Sequence, residues 1–383
     1  MTTIGIVGGG QLARMMLAPA ARLALPVTLL CDPEDAATEF CRSVIPGRPD
    51  ADGLTRLAEA CDVLTVEHEL VDLDAMASLE AAGHVVRPSS DALAVAVDKA
   101  RQRDLLHARG VPMAPWIVTA DAGEIAGFAE EHGWPLVLKP PRGGYDGRGV
   151  FIVEGPAAVD EVLAEVGGDV LVEPRLDIDI ELGVLVARRP GGETAVYPPV
   201  ETRQIDGMCR EVLLPAPVSG DVVDEAVAVA QRVADTVRAV GVLAVELFVV
   251  DGHVLLNEIA ARPHNTGHPT IEGVTTSQFE NHLRAVADLP LGDTTIRSPA
   301  AMVNVVGEDD DPRDHLAAAL AHTDAAIHLY GKAYRPGRKL GHVTVCADDP
   351  HRALDRAREA AAALTAGGGR NDGRESATAT TGR

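Results

Sequence analysis

Short β-branched runs and longer stretches of helical period alternate along the first part of the chain. Thr3 to Val7, Pro26 to Cys31 and Val63 to Val66 read as strands, and Gln11 to Leu23 has the spacing of an amphipathic helix. That alternation predicts parallel βαβ units and a Rossmann-like N-terminal domain over residues 1–95. A charged helix follows at 98–111 and ends at Gly110, after which Val111-Pro-Met-Ala-Pro115 turns the chain into a new unit. The pattern then changes. Strands are expected at Trp134 to Lys139, Val150 to Val153, Val170 to Glu173 and Ile180 to Val186, with an irregular one near Glu201. Helices are expected at Ala157 to Val166 and Val222 to Val240, and a hairpin turns at Asp251-Gly252. This predicts an α+β domain over 96–297 with mainly antiparallel strands, its lid at about 115–190. Strands at Ala301 to Val306 and Gly341 to Val345 mark a small C-terminal domain over 298–364. The fold class is thus α/β followed by α+β. Residues 365–383 are poor in large apolar side chains and are expected to form a disordered tail.

Candidate chemistry sharpens this outline at five places. The strand ending on Lys139 runs into Pro-Pro-Arg-Gly-Gly-Tyr-Asp-Gly-Arg-Gly149. Glycines let backbone N–H groups approach an anion, and the cations compensate its charge, so the segment is suited to polyphosphate. It is not a Walker A loop, because its lysine precedes the glycines and a strand resumes at Val150. A hairpin closing over a nucleotide fits better. The N-terminal Gly8-Gly9-Gly10-Gln11-Leu12-Ala13 matches a dinucleotide fingerprint, with Asp32 ending the second strand. Taken alone this reads as a nicotinamide or flavin site. The alternative is a turn that needs glycine for its own geometry and binds another phosphate or none.

In the hairpin Val245 to Glu258, a two-residue turn pairs Val250 with His253, so Glu246 should lie opposite Asn257. Strict alternation would point Glu258 to the other face, and joint use of Glu246 and Glu258 as hard oxygen ligands for Mg²⁺ requires a bulge. The other reading is a pair of solvated strand-end charges. Arg262-Pro-His-Asn-Thr-Gly-His268 is a loop dense in donors. His264 and His268 have the spacing of a helical zinc pair, but Pro263, Gly267 and Pro269 argue against a helix, and anion or substrate binding suits the loop better. Lys332, Arg335, Arg338 and Lys339 place four cations in eight residues, either as a solvated loop or as a phosphate monoester site.

Bulk properties narrow the classes. With 57 acidic against 34 basic residues the net charge is −23, which disfavours nucleic acid and anionic membranes as partners. Anionic ligands must be held by local clusters. The cysteines at 31, 41, 61, 209 and 346 are odd in number and widely spaced, so reduced cytoplasmic thiols are expected. No apolar run approaches the roughly 20 residues of a membrane span.

Strand-Lys139 with its glycine loop, Glu173 eight residues before Glu181, and Glu246 twelve before Glu258 resemble the ATP-grasp superfamily of carboxylate–amine ligases. More narrowly, Gly-Gly-Gly-Gln-Leu-Ala-Arg-Met, Gly-Gly-Tyr-Asp-Gly-Arg-Gly, Asn-Glu-Ile-Ala-x-Arg-Pro-His-Asn-Thr-Gly-His and Arg-Pro-Gly-Arg-Lys-x-Gly-His are similar to the N5-carboxyaminoimidazole ribonucleotide synthetase family, over about residues 3–360. The resemblance implies a carbon–nitrogen ligase of de novo purine biosynthesis. It would phosphorylate bicarbonate with ATP and pass the carboxyl group to 5-aminoimidazole ribonucleotide. It also implies Mg²⁺ (or Mn²⁺), a cytoplasmic location and a homodimer.

The same resemblance implies site roles. Lys99 and Lys139 would touch the nucleotide phosphates under Gly144, Tyr145, Asp146, Gly147, Arg148 and Gly149. Glu173, Pro174, Arg175 and Leu176 would line the adenine edge, with Glu181 at the ribose and Gln204 nearby. Asn257 would supply an amide beside the metal carboxylates Glu246 and Glu258. Arg262, His264 and Asn265, with Tyr145, Asp146 and Arg148, would serve the chemistry. Gln11, Leu12, Glu67, Lys332, Arg335, Arg338 and Lys339 would hold the ribotide. Lys99 stands where the family usually has arginine, and Gln204 where many members have histidine. The alternatives are another ATP-grasp ligase acting on a different phosphorylated amine, or a nicotinamide oxidoreductase.

Overall fold

The computed structural model describes residues 2–143, 149–308 and 310–365. Among them, β1 (Ile4–Val7), β2 (Val27–Cys31), β3 (Ser43–Pro46) and β4 (Val63–Val66) form a parallel sheet in the order β3-β2-β1-β4. Helix α1 (Gln11–Arg22) crosses from β1 to β2 and α2 (Ala51–Ala60) from β3 to β4, α3 (Leu73–Ala81) follows β4, and β1 and β4 are buried along their whole length. This matches the parallel βαβ expectation, in which helices cover both faces and strands read as continuous apolar runs.

The helix expected at 98–111 is one of a pair, α4 (Ser90–Val97) and α5 (Lys99–His107). Asp98 separates them. Its extended backbone stops α4, and its side chain accepts a hydrogen bond from Arg101 N to cap α5.

Next comes a small antiparallel sheet ordered β5-β8-β6-β7, built from β5 (Ile117–Thr119), β6 (Leu136–Lys139), β7 (Phe151–Val153) and β8 (Val170–Pro174), with α6 (Ala122–His132) and α7 (Val159–Val166) beside it. It packs round its own core of Ile125, Leu136, Leu138, Val153, Val170 and Val172. A separate core is what a lid needs in order to move as a body. The lid is shorter than the expected 115–190, because β9 (Ile180–Arg188) pairs with strands of the large sheet instead.

That sheet holds β9, β10 (Thr194–Val196), β11 (Val200–Ile205), β12 (Met208–Leu214), then after α8 (Gly220–Val237) β13 (Gly241–Val250) and β14 (His253–Ala260). The irregular strand expected near Glu201 is the β11–β12 hairpin, with a register shift between Arg203 and Gln204. After α9 (Thr270–Gly273) and α10 (Gln278–Val286), the sheet continues across position 298. There β15 (Ala300–Val306) pairs with β12, and α11 (Leu316–Ala319), β16 (Ala325–Leu329), β17 (Lys339–Cys346) and α12 (Pro350–Thr365) follow. The C-terminal unit therefore extends the large sheet, which covers an edge that β12 would otherwise expose. Of the tail expected at 365–383, Thr365 closes α12 and the remainder lies outside the described residues.

Candidate active site

Asp251 and Gly252 turn with φ of +51° and +78°, which sets the two-residue hairpin and pairs Val250 with His253 as expected. The register then shifts. Leu247 faces Leu256, but the next pair is Glu246 with Glu258, so Asn257 is the extra residue. Glu246 therefore does not sit opposite Asn257. The bulge turns Glu258 onto the same face as Glu246, the rearrangement that joint use of the two acids demands. Glu181 approaches from β9, two strands away from Glu258. Gln204 and Thr202 of β11 hydrogen-bond its carboxyl, opposing the upward push of burial and of Glu258. Burial first, then Glu258 and Glu181, push the Glu246 carboxyl upward against the pull of Arg262 and Lys339. Glu246 and Glu258, paired across the bulge, favour a cation beside them.

The cations stand on the lid and on α5. Lys99, the first residue of α5, has its Nζ 3.8 Å from Glu258 Oε2 and donates to Gly143 O at 3.4 Å. Lys139 ends β6, and in the β6–β8 register it faces Leu171, so Glu173 is its diagonal neighbour on the same face. Lys139 Nζ donates to Glu173 Oε2 at 3.0 Å. Arg103, one turn beyond Lys99, donates to Glu173 Oε1 from both Nε and Nη2, at 2.9 and 2.7 Å. Burial alone would raise the Glu173 carboxyl, but Lys139 and Arg103 outweigh it and hold it below the usual carboxylate range. Pro174 and Leu176 are half-buried beyond it, and Arg175 turns outward toward Glu154 at 3.7 Å.

After β14, the donor loop begins at Arg262, whose Nε meets Glu69 Oε2 at 2.6 Å. His264 Nε2 lies 3.1 Å from Glu246 Oε1, while its Nδ1 is 3.1 Å from the Thr266 hydroxyl and also accepts from Thr266 N. Nδ1 is thus the acceptor, and Nε2 carries the proton toward Glu246. Burial, helped by Arg262 and Lys339, pushes His264 down to about 3, so the imidazole is neutral. Asn265 hydrogen-bonds Cys209, and its Nδ2 has no partner among the described residues. His268 is buried in the core, its ring beside that of His342 at 4.6 Å, which ties the loop to β17. A short 3-10 turn, Asn265–Gly267, and not an α-helix, stands between His264 and His268.

Not every expected residue joins this cluster. Glu67 accepts from Gly10 N at 2.5 Å and Ala13 N at 2.9 Å, so its carboxylate occupies the N-terminus of α1. A side chain at Gly8 or Gly10 would collide with it. The glycine fingerprint therefore serves the protein's own acid, the non-nicotinamide alternative. Leu12 packs in the core beneath, and Gln11 is half-buried. Lys339 lies close enough to influence Glu246 and His264, Lys332 stands over the Tyr330 ring at 5.6 Å, Arg338 donates to Ala333 O, and Arg335 is exposed. Gly144, Tyr145, Asp146, Gly147 and Arg148 lie outside the described residues, and Gly149 is at their edge. Arg103 and Glu69 were missed by the reading of the sequence. Arg103 could have been found as a cation on the buried face of α5, next to Gln102 and Leu106.

Among the described residues, no group of three or more His, Cys, Asp or Glu side chains gathers as a metal site. Two paired carboxylates with hard oxygens nevertheless fit Mg²⁺, which takes few protein ligands and completes its shell with phosphate oxygens and water. The upward push on Glu246 comes first from burial and then from Glu258 and Glu181, and a bound cation would oppose it.

Three family models match successive parts of the chain: a ribonucleotide synthetase preATP-grasp domain over residues 1–97, an ATP-grasp domain over 104–279, and a phosphoribosylaminoimidazole carboxylase C-terminal domain over 300–356. An N5-carboxyaminoimidazole ribonucleotide synthase from Mycobacterium tuberculosis is 43% identical over 377 residues, covering 95% of this chain and 88% of the relative. Among solved structures, the synthetase from Thermus thermophilus is 38% identical with a TM-score of 0.86, over 94% of this chain and 98% of that one. The synthase from Aspergillus clavatus, in complex with ADP and 5-aminoimidazole ribonucleotide, is 34% identical with a TM-score of 0.87, over 95% and 98%.

Proposed function

The chain belongs to the N5-carboxyaminoimidazole ribonucleotide synthase family, and from that premise we propose how its residues carry out the ATP-dependent carboxylation of 5-aminoimidazole ribonucleotide in purine biosynthesis. An oxygen of bicarbonate attacks the γ-phosphorus of ATP and ADP leaves. The exocyclic amine then attacks the carbonyl carbon of carboxyphosphate and phosphate leaves. The observation that carries this reading is the bulge at Asn257, which sets Glu246 and Glu258 side by side beneath Lys99.

Lys99 and Lys139 bind the nucleotide phosphates, the end of β8 from Glu173 to Leu176 takes the base along its backbone while the Glu173 carboxylate stays on Arg103 and Lys139, and Glu181 takes the ribose. Glu246 and Glu258 would hold Mg²⁺, which when bound neutralises charge on the transferring phosphoryl group. His264 fixes Glu246 through its Nε2 proton, in the way outer partners orient a ligating carboxylate. Arg262, anchored by Glu69, offers its remaining donors to bicarbonate, with Asn265 beside it. Lys339, with Lys332, Arg335 and Arg338, takes the ribotide phosphate. No side chain needs to attack. Positioning and exclusion of water by the lid carry the rate, since carboxyphosphate is lost to hydrolysis wherever water competes. A cytoplasmic location and a homodimer belong to the same reading. No helix among the described residues is long and apolar enough to cross a membrane.

The test is phosphate release from Mg·ATP and bicarbonate, with and without 5-aminoimidazole ribonucleotide. Strong stimulation by the ribotide is expected. ATP binding without stimulation would turn the assignment toward a different amine acceptor.

A further inference from the structure

Helix α5 carries a buried cation to which the proposed chemistry gives no task. Arg103 follows Lys99 by one helical turn, and its side chain is only 3% exposed although a guanidinium stays charged in proteins. Glu173, its partner, is 8% exposed. The three groups divide the carboxylate cleanly: Oε1 takes Nε and Nη2 of Arg103, and Oε2 takes Nζ of Lys139. Nη1 of Arg103 is buried and has no hydrogen-bond partner among the described residues, so the cluster keeps one unspent donor.

We propose that Arg103 is a positioning residue of the nucleotide site: by holding one oxygen of Glu173 it fixes the carboxylate that aims Lys139, and it leaves the buried cluster one positive charge in excess for the nucleotide phosphates. Two cations and one anion sum to +1. Without Arg103, Glu173 and Lys139 would form a closed neutral pair, and in a poorly screened site that attraction competes with a phosphate for the lysine. Two donors of Arg103 converge on Oε1, which pins that oxygen from two directions and leaves Oε2 to Lys139, a constraint a single point charge cannot supply. Lys139 reaches Glu173 only along the strand diagonal, so the direction of its ammonium follows the direction of that carboxylate.

The inference rests on the nucleotide reading of Lys139, so the experiment includes a Lys139→Met control. ADP and adenosine affinities are measured by calorimetry on the full chain, with melting temperatures and steady-state kinetics, for Arg103→Met, Arg103→Lys and the control. For Arg103→Met, ADP should bind at least about tenfold more weakly while adenosine, which lacks phosphate, changes less than about threefold. KM for ATP should rise by more than kcat falls, and Arg103→Lys should recover part of the ADP affinity. A merely structural arginine would give equal losses of ADP and adenosine together with a lower melting temperature, and that result overturns the proposal. So does wild-type ADP affinity in Arg103→Met beside a clear loss in the lysine control. If the control also binds ADP normally, the nucleotide reading itself fails and the inference falls with it. Should Arg103→Met not fold, Arg103→Lys decides on the same ratio of ADP to adenosine, with equal losses again overturning it.

Discussion

The head of α1 and the end of β6 both present positive ends, built from different materials. At α1 they are backbone N–H groups of Gly10 and Ala13, and Glu67 from the neighbouring strand end fills them. At β6 they are side chains, Lys139 and Arg103, and the one acid between them, Glu173, is too little to neutralise both. The first place is satisfied from within and the second is left with a surplus. Similar glycine-rich sequence can thus mark either a phosphate site or a tight turn around an internal carboxylate, and the count of local charges separates the two.

The largest expected effect strikes the open site. Glu258→Gln or Lys139→Met should lower turnover by roughly a thousandfold while the melting temperature holds, because each removes a charge that faces the transferring phosphoryl group. Full activity in Glu258→Gln would end the metal assignment.

Lowering the pH is the next test, since it spares the ion-paired cluster and strikes the buried histidines. Glu173 is held below its ordinary range, so the pair stays ionised at pH 5.5. His282 is pushed down to about 3 by burial, its Nδ1 accepting from Val242 N and its Nε2 meeting the Thr65 hydroxyl, and burial likewise holds His342 well below the ordinary imidazole value. Folded-state values lie below the unfolded value, so the unfolded chain binds more protons below about 6.5 and stability falls as pH falls. Unfolding free energies from denaturant titrations between pH 7.5 and 5.5 should show a loss of about 1.4 kcal/mol per pH unit below 6.5 for each histidine buried neutral, His264 and His268 included, offset in part by the raised Glu246 carboxyl, which takes up its proton in the folded chain as pH falls. A flat profile would contradict their neutral burial.

Glu67→Ala probes the filled site. It leaves the two α1 donors without their carboxylate and should cost about 2 kcal/mol by chemical denaturation, with ADP affinity unchanged. A loss of ADP binding there would merge the two regions into one site. The smallest effect is the converse: sulfate should stabilise Glu67→Ala by about 0.5 kcal/mol relative to its effect on the parent chain, because the emptied helix end accepts an anion.

Much of the site was legible as residue types in order. The Asp-Gly turn fixed the first pairs of the hairpin, and the demand that Glu246 and Glu258 act together implied a bulge before its position was visible. Arg103 and Glu69 were not legible as partners, since an arginine in a charged helix and an acid after a strand are common surface residues. Their roles arise from contacts 70 and 193 positions apart in the chain.

By itself the sequence determined the local elements, the parallel start and antiparallel continuation, and the family, because periodicity, turn residues and motif order are short-range properties. Tertiary structure alone decided that Glu67 fills the head of α1, where the lid ends, and that β15 extends the large sheet past position 298. Those outcomes depend on strand register and on which charge reaches which buried donor. Both are set by packing between segments distant in the chain, where neither spacing nor composition carries the information.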